Sequence, residues 1–193
     1  AHPLDQFYLE LTYGCNTRLA DMEMKASDLN QEVTFGGLIT SYEEKEARSG
    51  NKYGKIVIED YTGKYDLMLF GNNYIEYNKF GIKGLAIMVK GVFRKGRFND
   101  RISFNIASIT PLDEVKGKLL SNLTIQVPED RFADLSPLKE TMTESTENRC
   151  NLNFRILTND RKHYVDMRSQ YKIPINKQVL KKLESMEMEF SIN

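Results

Sequence analysis

Between residues 33 and 112 apolar and polar side chains alternate in short runs separated by turn-forming residues, a two-residue period that commits this stretch to β-strands. Val33, Phe35 and Ile39 share one phase of a first strand reaching about Tyr42, with Gly36 and Gly37 where a strand would bend or bulge. The polar run "EEKEARSGNK" contains Ser49, Gly50 and Asn51 and reads as the tip of a long hairpin, from which "YGKIVIED" returns as a second strand. Residues 60–63 form the next turn, after which "KYDLMLF" alternates Tyr65, Leu67 and Leu69 against Asp66 and Met68. The period then changes: Tyr74, Tyr77 and Phe80 recur at helical spacing behind Asn72 and Asn73, and Gly81 and Gly84 close that helix. "LAIMVKGVF", the charged turn "RKGRFNDR" and the alternation of Ile102, Phe104 and Ile106 supply two further strands.

Five strands with a helix between the third and fourth is the order of an all-β OB-fold barrel, expected here over residues 33–112. Residues 1–32 mix apolar and acidic positions without a sustained period and read as an acidic linker segment holding a short helix or two. Beyond residue 112 a charged stretch leads to a strand at 123–127 and then a helix carrying Phe132, Leu135, Leu138 and Met142 on one face. Asp130 lies in its cap region and Pro137 in its first turns, where it would kink the helix. Strands at 152–157 and 163–167 follow, then a helix with Val179, Leu180, Leu183 and Met186 on one face and a short strand at 189–192. Residues 113–193 thus read as a small α+β domain.

The chain is neutral overall, yet its charge is divided: residues 1–32 carry six acids against two bases, a net of −4, and residues 33–112 twelve bases against eight acids, a net of +4. The middle segment is the one suited to a polyanion. Apolar runs such as residues 85–89 are too short to cross a bilayer, and Cys15 and Cys150 stand far apart with no metal-ligand spacing around them. A cytoplasmic, monomeric protein with ordinary thiols is expected. The opening "AHPLDQF" reads as the interior of a longer polypeptide.

In an OB barrel the loops joining strands one to two and four to five flank the face on which oligonucleotides lie. Lys45, Arg48, Lys52 and Lys55 belong to the first loop and its flanks, and Arg94, Lys95, Arg97 and Arg101 to the second. Phosphate neutralisation needs such cations, and binding of single strands also needs aromatic faces for the bases. Tyr53 and Phe98 are the ring candidates, with Tyr42 and Phe93 beside them. Tyr65, Phe70 and Phe104 read as barrel packing, and Tyr74 and Tyr77 as a cap on one end. Catalysis finds no support: His2 and His163 are far apart, the carboxylate pairs Glu59-Asp60 and Glu129-Asp130 have turn or capping roles, and there is no phosphate loop or nucleophile elbow. No cofactor and no metal is expected.

"HPLDQFYLEL" followed by "VTFGGLITSYEEKEARSGNKYGKIVIEDYTGKYDLMLFGNNYIEY" resembles the C-terminal region of the bacterial replicative DNA polymerase III alpha subunit of the DnaE type. His2, Pro3, Leu4 and Asp5 match the segment that follows that family's helix-hairpin-helix region. Gly37, Thr40, Gly50, Glu59, Asp60, Gly63, Phe70 and Tyr74 match its OB domain in order. Motifs carry the resemblance over residues 1–112; position and length carry it over 113–193. The resemblance implies a non-catalytic portion of a DNA-directed DNA polymerase, whose OB domain contacts single-stranded template DNA and whose last domain docks the tau subunit of the clamp loader. Leu180, Leu183 and Phe190 are then the candidates for partner contact. An RNA-binding module of the anticodon type and a pure protein-interaction domain are the alternative readings of the same strands.

Overall fold

Strands form where the alternation asks for them: β1 (Glu32–Glu46), β2 (Lys52–Glu59), β3 (Lys64–Leu69), β4 (Ala86–Lys95) and β5 (Ile102–Pro111). The structure is a computed structural model and describes residues 2–96, 100–141, 149–160 and 162–193. It divides into two units, Ala1–Lys116 and Gly117–Asn193. In the first, the strands make one antiparallel sheet in the order β3-β2-β1-β4-β5. β1 is the long one: residues 32–38 pair with β4 and residues 38–46 with β2. The polar "EEKE" run extends β1 four residues past the expected end, because cross-strand hydrogen bonds to β2 satisfy its backbone whatever its propensity.

The expected closed barrel needs correction. Among the described residues no ladder joins β3 to β5, and the sheet stays open between those edges. Rings fill the opening: Tyr65 of β3 and Phe104 of β5 have centroids 6.3 Å apart, and Phe35 of β1 lies 5.6 Å from each. Side chains of that size between two edges leave no room for the ladder spacing of about 4.8 Å. Phe35, Ile56, Ile58 and Leu69 are fully buried beneath them, each stabilising the fold by roughly 1.5–3 kcal/mol.

A bulge lies between Ile39 and Ser41, and it sets the orientation of everything beyond it. Before it Val33, Phe35 and Ile39 face the core; after it Tyr42 pairs with Ile56 on the core side, and Ser41, Glu43 and Lys45 turn outward. The bulge is not at Gly36 and Gly37, which keep register with β4. Gly37 is required for close approach instead, since a Cβ there would sit 2.6 Å from the Glu59 carbonyl oxygen.

The helices of this unit are α1 (Tyr8–Tyr13), α2 (Met22–Lys25), α3 (Gly71–Tyr77) and α4 (Leu112–Val115). Residues 1–32 do not hang free as a linker would. Leu4, Phe7, Leu19 and Met22 are buried, and backbone-directed hydrogen bonds tie the segment to the sheet. Asn16 Oδ1 accepts from Thr34 N at 2.8 Å, Asp60 Oδ2 accepts from Leu19 N at 2.9 Å, and Tyr61 donates its hydroxyl to Asp5 at 2.7 Å. The other Asp60 oxygen accepts from the Thr62 and Gly63 amides, so the "DYTG" turn is built around that carboxylate. Burial pushes the Cys15 thiol up to about 12 and the Cys150 thiol to about 11.

The second unit contains β6 (Asn122–Pro128), β7 (Arg149–Leu157), β8 (Tyr164–Pro174) and β9 (Glu189–Ile192), in sheet order β8-β7-β6-β9, with α5 (Ser136–Thr141) and α6 (Lys177–Ser185). β6 and β7 run parallel, a pairing that requires a crossover; a 3-10 segment, Glu129–Leu135, and α5 lie on it. The expected single helix over this stretch is therefore split, and Pro137 sits in the first turn of α5, where its missing N–H costs nothing. Met142 lies outside the described residues. The Asn176 side chain accepts from Val179 N at 2.9 Å and caps α6.

Gly91 gives the sharpest test of the sheet's packing: a Cβ there would lie 2.3 Å from the Asn105 carbonyl oxygen and 2.6 Å from the Phe104 ring. Gly91→Ala should cost about 2–3 kcal/mol, read as a lower urea midpoint with an unchanged slope. A midpoint equal to that of the parent would show that β4 and β5 have slack the packing does not suggest.

Candidate nucleic-acid interface

Side chains on paired strands share a face, so the register assigns the outer surface of β1, β2 and β3 directly. Glu43 opposes Lys55, Lys45 opposes Tyr53, Lys55 opposes Met68, Val57 opposes Asp66, and Glu59 opposes Lys64. All of these point away from the core lined by Ile56, Ile58, Leu67 and Leu69. At one end of this face the Phe70 ring, 57% exposed, lies 5.2 Å from the half-buried ring of Tyr53 at an interplanar angle of 31°. The pair presents an aromatic edge and face to solvent on a rigid strand, the arrangement on which unpaired bases stack. Phe70, expected as packing, is thus the ring whose placement needs correction. It is extended (φ −114°, ψ 151°) and keeps the outward phase of Asp66 and Met68, opposite to the buried Leu67 and Leu69, so the two-residue period already carried the signal.

The lysines of this face are not free cations. Lys45 Nζ lies 2.9 Å from Glu43, Lys55 Nζ 2.6 Å from Asp66, and Lys64 Nζ 3.0 Å from Glu59. Hydrogen bonding to Lys45 holds the Glu43 carboxyl below the usual carboxylate range, and the same contact raises Lys45. Both therefore stay charged at neutral pH.

Lys52, expected beside Tyr53, points to the other face of its strand. It alternates into the phase of Gly54 and Ile56, where the hairpin overhangs α3, and it pairs with Glu44 at 2.7 Å. Tyr74 donates to the same carboxylate at 2.5 Å. Tyr42 packs on Gly54 and Gly81 there and offers no open ring face, while Phe93 is buried against Phe104. Arg48 is exposed near the hairpin tip, which Gly50 closes with φ +81° and a hydrogen bond from its N–H to the Ala47 carbonyl at 2.8 Å.

The second expected loop emerges at the other end of β1, for Glu32 pairs with Val92 near the end of β4 while Glu46 pairs with Lys52 at the start of β2. The described flanks of the two hairpins thus lie toward opposite ends of β1. Arg94 faces outward opposite Ser103, Lys95 pairs with Asp100 at 2.9 Å, and Arg101 is exposed. Arg97 and Phe98 lie outside the described residues. Of the ten side chains expected to bind nucleic acid, the structure brings Lys45, Tyr53 and Lys55 together on one face.

In the second unit the expected partner contacts also need correction. Leu180 and Leu183 are 4% and 0% exposed, packed into their own domain core, so they offer no surface to a partner. Phe190 is half-buried opposite Ile125. Exposed apolar side chains lie elsewhere, on Phe132 and on Tyr164, Val165, Met167 and Tyr171 of β8, and a groove of about 950 Å³ has Phe132 and Tyr171 at its rim and the buried Leu138 and Phe154 in its lining. No group of three or more His, Cys, Asp or Glu among the described residues is placed to hold a metal ion, and no described helix is long and apolar enough to cross a membrane.

A tRNA anti-codon family model, described as an OB-fold nucleic acid binding domain, matches residues 33–112. The DNA polymerase III alpha subunit of Haemophilus influenzae is 25% identical over 132 residues, 68% of this chain and 11% of that protein. The corresponding subunit of Escherichia coli K12 is 23% identical over 144 residues (73% and 12%), and that of Borreliella burgdorferi 25% over 152 residues (76% and 13%). The chain thus spans 11–13% of the length of these curated relatives. Among solved structures, the mitochondrial single-stranded DNA binding protein Rim1 of S. cerevisiae covers 42% of this chain and 95% of its own at 22% identity, with a TM-score of 0.33.

Burial of Leu183 separates a core role from a contact role. Leu183→Ala should destabilise the second unit by about 2–5 kcal/mol, seen as a shifted thermal transition in the absence of any partner. A variant as stable as the parent would return Leu183 to the list of contact residues.

Proposed function

We propose that this chain is a non-catalytic portion of a replicative DNA polymerase alpha subunit that binds single-stranded template DNA on the outer face of β1, β2 and β3. The observation that carries the reading is the Tyr53 and Phe70 ring pair, an exposed ring against a half-buried one on a sheet of OB type. Such a pair costs little ordering entropy, because β2 holds Tyr53 and the junction of β3 with α3 holds Phe70, and it accepts any base with an open π-face. The similarity of residues 33–112 to an OB-fold nucleic acid binding domain and of most of the chain to polymerase III alpha subunits supports the same reading. Polymerisation itself belongs, in this proposal, to other parts of the parent protein.

Anisotropy titration of a labelled single strand of about 20 bases, longer than the roughly 4–16 nucleotides one OB fold covers, tests it directly. Phe70→Ala and Tyr53→Ala should each weaken binding by about tenfold, since stacking contributes on the order of 1–3 kcal/mol per base. No binding by the parent chain at low salt would leave a protein-interaction module as the reading. Competition with RNA of the same sequence separates template DNA from an RNA ligand, which the sheet alone does not discriminate.

The second part of the proposal is that Gly117–Asn193 docks the clamp-loader tau subunit. With Leu180 and Leu183 buried, the groove between Phe132 and Tyr171 is the surface of choice, and its exposed apolar rim supports that role. Tyr171→Ser, at an exposed position on the groove rim, should weaken calorimetrically measured binding of purified tau at least about tenfold while the thermal transition stays put. Undiminished tau binding would move the contact off this groove.

A further inference from the structure

The face that carries the ring pair is electrically balanced, and the balance is local. Three lysines, Lys45, Lys55 and Lys64, each lie within 3.0 Å of one of three carboxylates, Glu43, Asp66 and Glu59. The net charge of +4 over residues 33–112 therefore does not come from this surface. Arg48, Arg94 and Arg101, which have no ion-pair partner among the described residues, sit at or beside the hairpin tips. A surface built for phosphate alone would not place an acid beside every base.

We infer that Glu43 and Asp66 set the selectivity of this face for single strands over duplexes, by holding Lys45 and Lys55 in intramolecular ion pairs so that base stacking rather than phosphate attraction decides binding. The inference rests on the reading of this face as a single-strand site. A duplex offers closely spaced phosphates but hides its base faces in the stack, so its non-specific affinity comes almost entirely from counterion release. At this surface a phosphate that takes Lys45 from Glu43 frees a carboxylate beside itself. The strand loses a counterion, the carboxylate gains one, and the exchange is nearly neutral. A single strand meets the same electrostatic balance but also stacks on Tyr53 and Phe70. These ion pairs are half-exposed and individually weak, but breaking one releases no net counterion, so a phosphate within reach gains little by displacing it.

The test uses the full chain with Glu43→Gln and Asp66→Asn combined, near-isosteric changes at exposed positions, with folding checked by circular dichroism. Asp113→Asn with Glu114→Gln on α4 serves as the control that makes the same change in net charge elsewhere. Duplex and single strand of one sequence are titrated over a series of salt concentrations. The parent should bind the single strand with a shallow salt slope and the duplex poorly. The face variant should bind duplex about tenfold tighter and single strand only about threefold tighter, with a slope steeper by about 1–2. Duplex affinity and slope unchanged in the face variant, or changed equally in the α4 control, would overturn the inference while leaving the single-strand reading intact. A parent that binds no single strand, or binds it equally well without Tyr53 and Phe70, removes that reading and this inference together.

Discussion

A strand buried between two neighbours must find a partner for every backbone N–H and C=O, and β1 meets that demand by changing partner along its length. Residues 32–38 bond to β4, and residues 38–46 bond to β2. That single exchange folds the sheet around Phe35 and brings the edges β3 and β5 near each other. It also leaves the β1 and β2 hairpin to overhang α3. The bulge at Ile39 and Ser41 sits next to the exchange and decides which side chains of the hairpin look out.

Among the described residues, aromatic packing bridges the open edge between β3 and β5. Tyr65, Phe35, Phe104 and Phe93 form a continuous ring cluster, with Phe93 and Phe104 centroids 5.0 Å apart. Residues 1–32 brace the same unit by another route, through the Asp60 carboxylate and the Asn16 side chain. Asp60 thereby joins a turn and a distant segment, a structural task that accounts for its four accepted hydrogen bonds without any chemistry.

The proposed single-strand binding follows from what the outer face lacks as much as from what it carries. Its lysines are neutralised in place, and at one end an exposed ring, Phe70, lies against the half-buried Tyr53. Electrostatic attraction is long-ranged and indifferent to base pairing; stacking is short-ranged and requires an unpaired base. A balanced face with such a ring pair is weighted toward the second.

The sequence alone located each strand and the turns between the first three, though not how far β1, β7 and β8 extend, because alternation, Gly50 and the "DYTG" turn are local signals read within a few residues. It also determined the hydrophobic interior of α6, since Leu180 and Leu183 repeat at helical spacing. What those leucines face is another matter, and only the tertiary structure decided that they fill their own core. The same holds for the site: one residue of register moves a side chain to the opposite face, so Lys52 lies on the other side of β2 from the ring of Tyr53. The pairing of Phe70 with Tyr53, of Lys55 with Asp66, and the open β3 edge arise from residues far apart along the chain. No local period encodes such meetings, because the long-range hydrogen-bond register and the bulge in β1 create them.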